Sequence, residues 1–494
     1  MVYRYRLRKE ASLNESIVFS DYFRMPQKEQ LLFKKLEAET DETEKENIIS
    51  QIHALRGIYK NEDGGLSVND MNFVSYLMEA FSMLSVKGNI AFYNFTRHKY
   101  EYIDELDFLP FFKTLLDEVD RRLWNPKLEG KYKSRYKREL EPRLREWSTP
   151  KWIVFDNGCF NIADGSFYPG DYPGIHNFNS TGYSYDESAE APEFVSYVDD
   201  VMGGDKSLVA NVQEALGYSL CYGENPMQVI FLFMGSGRNG KGILSNLLMK
   251  VHGEENCSAT SVSQLSSQFG TDQMATSVIN ISNENNENVV TDTSILKTVS
   301  GNDLVMVEKK YKDAVPMHIY TKLYISTNSI MFKDSSKGFQ ERLVPIPFNY
   351  TYTYSPKGPK EKLRDNQLEE RLSKELPGIF NWMYAGLVRL RQNGYRMTPS
   401  EAVDRERERI VSSSNPVQLF VTECITFSVG EKERKPDVYR RFKEWTNANG
   451  VNTGIYQSAY SFYQKFNAIL EENSISSETK KIKGHEYYSG ITFI

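Results

Sequence analysis

The sequence predicts an α/β fold, with a strand-and-helix core in mid-chain between a mostly helical N-terminal region and a C-terminal winged-helix-like unit. Three observations carry this. Apolar strand-like runs at 228–234, 277–282 and 322–326 are separated by segments of helical character. Residues 1–150 are dominated by apolar positions at helical spacing, as in "PQKEQLLFKKLEAETDETEKENIISQIHALRGIYK" and "VNDMNFVSYLMEAFSMLSV". Beyond residue 415, helices are followed by a basic hairpin-like ending, "KKIKGHEYYSGITFI".

Taken in order, "NIAFYNFTRHKYEYI" alternates in the manner of a small hairpin, and the charged stretch 39–47 reads as a helix end or loop. From 121 to 151, eleven Lys/Arg face four Glu, interleaved with Trp and Tyr, which reads first as a solvated helical connector. "WIVFDNGCFNIADGSFYPGDYPGIH" is strand, turn and strand, and "PEFVSYVDDVMGGDKSLVANVQEALGYSLCYG" is a pair of helices. The segment "NYTYTYSPKGPKEKLRDNQ" is polar and turn-rich. Helices are expected in "LEERLSKELPGIFNWMYAGLVRLRQNG", "SEAVDRERERIV", "VQLFVTECITFS", "VYRRFKEWTNAN" and "SAYSFYQKFNAILEEN". The expected boundaries are 1–150, 151–226, 227–350, 351–414 and 415–494.

Composition narrows the class. The 494 residues are 40% hydrophobic and 26% charged, with 18 prolines and no run of eighteen apolar residues, so neither a signal peptide nor a membrane anchor is expected, and a cytoplasmic location follows. Four scattered cysteines and six dispersed histidines give no zinc pattern and fit a reducing compartment. The net charge of -6 argues only weakly against a protein coated in DNA-binding surface, since a ring or channel can gather cations locally while its exterior stays acidic.

The strongest motif is "GSGRNGKG". Gly235, Ser236, Gly237, Arg238, Asn239, Gly240 and Lys241 match GxxxxGK directly after an apolar strand and directly before a helix. Glycines let successive amides turn toward an anion, and the lysine reaches the outer phosphates of ATP. Gly242 stands where a hydroxyl usually holds Mg2+, and Ser245 lies one helical turn on. Glu284, just past a strand, is the candidate to orient water and help hold the metal, with Glu287 the local competitor and Asn283 in place of a second carboxylate. Asn328 ends another strand, where it can sense the terminal phosphate. Arg342, before an apolar run, can donate to phosphate across a subunit boundary.

Lys241, Glu284, Asn328 and Arg342, in that order, resemble the phage and poxvirus D5-like branch of the superfamily 3 helicases, within the AAA+ ATPases. "NGCFNI" is similar to the opening of that family's helicase-preceding domain, the collar region, "LVANVQEALGYSLCYG" to the helix leading to its core, "LKTVSGND" and "VEKKYKD" to the segment between its second and third nucleotide motifs, and "ELPGIFNWMYAGL" to its post-core helix. The resemblance implies a ring, typically a hexamer, that hydrolyses ATP and translocates along DNA, with Lys241 on phosphate, Glu284 as the acidic residue, Asn328 as sensor and Arg342 acting in trans. It puts Lys309, Lys310 and Lys312 on a pore hairpin touching DNA. Many relatives carry a primase, whose acidic triad and zinc pattern are missing here, so a separate primase and polymerase are expected partners. Arg440, Arg441, Lys443, Lys480, Lys481, Lys483 and His485 are candidate duplex contacts in the last unit, which could make the protein an origin-binding initiator as well. The alternatives are an origin-binding or scaffold protein with a decayed nucleotide site, and an ATPase moving RNA or packaging DNA.

Overall fold

The computed structural model describes residues 18–86, 89–140, 142–143, 151–265, 267, 270–284, 289–290, 292–308, 314–332, 334, 336–413, 415–449, 456 and 458–494. The chain folds as two units, Met1–Tyr185 and Asp186–Ile494, so the structural division falls inside the expected 151–226 segment.

In the first unit, helix α1 (Gln27–Ala38) ends at the charged stretch, where Glu39 turns extended, and helix α2 (Glu42–Leu55) starts at once because Asp41 caps it by accepting from Glu44 N. Helix α3 (Asp70–Ala80), capped by Asn69, leads into strand β1 (Met83–Val86). The expected hairpin is β2 (Asn89–Asn94) with β3 (Lys99–Tyr102), and it belongs to a four-stranded sheet of order β3-β2-β1-β4, where β4 is Pro142–Arg143. Helices α4 (Glu105–Asp117) and α5 (Pro126–Glu139) complete an aromatic core in which Phe73, Phe92, Phe108, Phe112, Tyr132 and Tyr136 are buried. The basic segment is thus no mere connector: α5 sinks two tyrosines while keeping its cations outside. Buried Arg56 donates to Glu29 at 2.8 Å and to Glu118 at 2.8 Å, so the charge is paired where it is desolvated. A three-stranded antiparallel sheet, β5 (Trp152–Phe155), β6 (Gly158–Asn161) and β7 (Phe167–Pro169), ends the unit.

The second unit opens with helices α6 (Pro192–Val201) and α7 (Lys206–Tyr218). Its centre is a five-stranded parallel sheet. The strands are β8 (Ile230–Met234), β9 (Cys257–Ser258), β10 (Ile279–Glu284), then β13 (Lys322–Thr327) and β14 (Leu343–Pro347), in the order β9-β10-β13-β8-β14. Strands β8 and β13 are buried along their whole length, as the near-continuous apolar runs require of a parallel sheet covered on both faces. Helix α8 (Lys241–His252) follows the glycine-rich loop, and α9 (Ser294–Ser300) precedes a hairpin of β11 (Leu304–Val307) and β12 (Val315–His318). The arrangement is consistent with a P-loop ATPase core.

The polar segment after the core is more ordered than its composition suggests. It pairs β15 (Thr351–Thr353) with β16 (Glu361–Leu363) before helices α10 (Leu376–Gln392) and α11 (Glu401–Ser413). The chain ends in α12 (Pro416–Cys424), β17 (Ile425–Arg434), α13 (Lys435–Ala448), α14 (Ala459–Glu472), β18 (Lys480–Ile482) and β19 (His485–Phe493). One expectation is corrected here. "ITFS" is not the end of a helix but the start of β17, because Ile425, Thr426 and Phe427 pair with Phe493, Thr492 and Ile491. No helix among the described residues is long and apolar enough to cross a membrane.

Candidate nucleotide site

Parallel pairing brings the glycine-rich loop, Glu284 and Asn328 to one end of the sheet. Met234 and Glu284 both lie opposite Thr327, so the loop after β8, the end of β10 and Asn328 after β13 emerge at one level. With strands about 4.8 Å apart, the three chain segments lie within about 10 Å of one another. Only the backbone of Glu284 is described. Glu287, Lys309, Lys310 and Lys312 lie outside the described residues.

The loop is shaped to wrap an anion. Gly237 and Gly240 take positive φ of 97° and 92°, which turns neighbouring amides inward without a Cβ penalty, and Arg238 also sits at 49°. It is clamped from two sides: Tyr197 on α6 donates to Gly240 O at 2.8 Å, and Tyr352 N on β15 donates to Arg238 O at 2.7 Å. Lys241 is 6% exposed, and its Nζ donates to Gly235 O at 2.5 Å, Asn239 Oδ1 at 3.1 Å and Asn328 Oδ1 at 3.4 Å. Burial pushes this amine down to about 8, from an ordinary 10.5. An incoming phosphate would replace weak carbonyl and amide acceptors with a charged one.

Over the loop lies a pocket of 590 Å³. One end is the loop with Asn283, Ser326 and Asn328; the other is Tyr352, Arg364, Asp365, Asn366, Leu368 and Glu369. Sequence reading missed this second end and Tyr197. The alternating "TYTY" within the turn-rich segment was the available signal for β15, but nothing in it says that the strand closes over the loop. Lys362, on β16, anchors the segment by donating to Asp200 Oδ1 at 2.6 Å.

The residues present fit a nucleotide. For Mg2+, the protein offers less. Among the described residues, no three His, Cys, Asp or Glu side chains cluster to hold a metal. Ser245 does not replace the missing hydroxyl: it is 3% exposed, its Oγ is buried without a partner, and it lines no part of the pocket. At Gly242 there is room, since an added Cβ would meet nothing within 4 Å.

Arg342 is at the other end of the sheet. Its carbonyl accepts from Ile230 N at 2.8 Å, so it precedes β14 where β8 begins, about 16 Å of strand from Gly235. Its guanidinium caps α9, donating to Lys297 O at 2.6 Å and Ser300 Oγ at 2.8 Å. It therefore cannot serve the pocket of its own chain. In the last unit, Arg440 pairs with Asp437 at 3.1 Å and Arg441 with Glu444 at 4.0 Å, whereas Lys480, Lys481 and Lys483 are exposed and carry no ion pair among the described residues.

Residues 233–342, which span the loop, β10 and β13 up to Arg342, match a family of unknown function, DUF5906. Residues 412–494 match the family described as poxvirus D5 protein-like. Among solved structures, the chain is similar to the C-terminal region of NrS-1 in an A-form apo structure, at 15% identity over 84% of this chain and 97% of that one, with a TM-score of 0.46. A second apo structure of that region gives 14% identity, the same coverage and the same score. The C-terminal match, over residues 412–494, agrees with the resemblance to D5-like proteins carried by the motif residues.

Proposed function

We propose that the chain is an ATP-driven DNA helicase that assembles as a ring, hexameric as in superfamily 3 AAA+ proteins, and unwinds DNA during replication of a phage, plasmid or mobile genomic island. A separate primase and polymerase would be its partners. One observation carries the reading: Lys241 Nζ is held between loop oxygens and Asn328 at the mouth of a pocket large enough for a nucleotide. Bound ATP would supply the phosphoanhydride whose cleavage drives movement, and Mg2+ would neutralise the charge of its phosphates.

Within that reading, the amides of 235–242 and Lys241 bind the phosphates, Glu284 orients water and helps hold the metal, and Asn328 fixes the position of the outermost phosphate. Arg342 works on a neighbouring subunit's nucleotide; its distance from its own loop favours this over a role in cis. Lys309, Lys310 and Lys312 contact the translocating strand. In the last unit, the order helix, strand, helix, helix, strand, strand supports a winged-helix-like module. There Lys480, Lys481 and Lys483, which carry no ion pair among the described residues, are better DNA contacts than Arg440 and Arg441, which lie beside Asp437 and Glu444.

Gly242 favours a second reading, an origin-binding protein with weak ATPase activity. A forked duplex separates the two. The helicase reading expects ATP-dependent strand separation that Glu284→Gln abolishes; separation without nucleotide turnover would sink it, and sequence-specific duplex binding without separation would favour the second.

A further inference from the structure

Helix α5 carries six Lys/Arg side chains, and they fall into two sets. Lys133 and Lys137 both reach Glu105, each at 2.8 Å, and Arg135, which lines the same groove as the second set, reaches Asp70 at 3.0 Å. Lys127, Lys131 and Arg138 are exposed and have no acidic partner among the described residues. Spacings of four, three and four residues put Lys127, Lys131, Ser134 and Arg138 on one helical face, a row about 16 Å long.

The same face holds a second feature. Gly130 sits in mid-helix between Lys127 and Lys131, where glycine is a far poorer helix former than alanine. Packing does not explain it, since a Cβ there would meet nothing within 4 Å. What the glycine does is leave the helix surface bare between two cations, beside a groove of 590 Å³ lined also by Asp70 and Glu139. Tyr132 and Tyr136, buried on the opposite face, fix the helix so that the row stays outward.

We infer that this face of α5 is a second nucleic-acid site, which holds the sugar-phosphate backbone of single-stranded DNA through Lys127, Lys131 and Arg138. The inference rests on the DNA reading above, but not on the nucleotide site. Three cations in a single row, flanked by Asp70 and Glu139 instead of a second basic row, suit one backbone. The absent side chain at Gly130 lets that backbone lie close to the helix.

The test uses the full chain and oligo-dT, with affinity measured by fluorescence anisotropy over a range of salt. Replacing Lys127, Lys131 and Arg138 by Gln is expected to lessen the slope of log affinity against log salt by about 2, three contacts at about 0.7 each. Lys133→Gln with Lys137→Gln, whose charges are met by Glu105, is expected to leave the slope unchanged. An unchanged slope in the triple variant, or an equal fall in both variants, overturns the inference while the DNA reading stands. Wild-type chain that binds no oligo-dT overturns both. A larger loss on duplex or on RNA than on oligo-dT rejects the single-strand assignment. If the triple variant fails to fold, Lys127→Gln alone is expected to lessen the slope by about 0.7, and no change overturns the site.

Discussion

Lys241 and Lys322 belong to opposite ends of the same parallel sheet, and burial pushes both amines down to about 8. Their surroundings differ. Lys322 Nζ, at the start of β13, donates to the carbonyls of Cys221, Glu224 and Tyr320, the last two at 2.6 and 2.9 Å, and is closed in on every side. Lys241 has one carbonyl and two side-chain amide oxygens, one of them at 3.4 Å, and borders the 590 Å³ pocket. A lowered lysine pKa therefore does not identify a functional site in this protein. Replaceable acceptors and an open side do: Lys322 is a strut that ties the end of α7 to the sheet, and Lys241 is a cation waiting for a better acceptor.

Exchanging each lysine for alanine should separate the roles, and Lys241→Ala is the larger effect. ATP hydrolysis is expected to fall at least about 100-fold, the scale of losing one preorganised donor to the reacting group, with the urea midpoint nearly unmoved. Lys322→Ala is expected to do the reverse. It leaves the buried carbonyl of Cys221 and the half-buried carbonyls of Glu224 and Tyr320 without this donor and should cost about 3 kcal/mol in urea unfolding, while the folded fraction still binds nucleotide. A Lys322→Ala chain of normal stability that has lost nucleotide binding would invert the comparison.

Asn328→Ala comes next. It removes the acceptor that links Lys241 to β13 and should lower kcat about 10-fold with little change in KM. A change confined to KM would make Asn328 a ground-state binding residue.

The pH dependence follows from the sign of the shift. The cationic form of Lys241 binds phosphate and predominates below about pH 8. Affinity for a fluorescent ATP analogue should be flat below that value and fall above it, by up to about tenfold per pH unit. In the unliganded chain both amines lie below the ordinary 10.5. Between about 8 and 10.5 the unfolded chain thus holds more protons at these two sites, so their contribution to stability rises with pH, opposed above about 9 by the thiols of Cys159, Cys221 and Cys257, whose pKa values burial raises. Affinity that stays constant to pH 10 would remove the charge from the binding account.

Gly242→Ser is the smallest effect expected. The space for a side chain exists, so a hydroxyl can be added without displacing a neighbour. It should lower the Mg2+ concentration needed for half-maximal hydrolysis by roughly 3-fold, on the premise that a P-loop hydroxyl is a magnesium ligand. No change would mean that the metal sits elsewhere.

Much of the site's near half was legible in the sequence, because it is local. A glycine-rich turn between an apolar strand and a helix announces itself, and strand ends at Glu284 and Asn328 follow from short apolar runs. The far half was not, because Tyr197 and the 350–369 segment reach the loop only through tertiary packing. The same limit explains the start of β17: Ile425–Phe427 continues a helical pattern locally, and only its pairing with β19 makes it a strand. For α5, sequence showed the charge but not its division, since which lysines are met by Glu105 depends on a helix that precedes it in the chain.

The most direct measurement is the rate of ATP hydrolysis by the full chain with and without single-stranded DNA, run side by side for wild type and Lys241→Ala. The account expects wild-type hydrolysis that DNA accelerates and Lys241→Ala activity at background under both conditions. Wild-type hydrolysis that Lys241→Ala retains would contradict it, because the loop at 235–242 would then not be where ATP is broken.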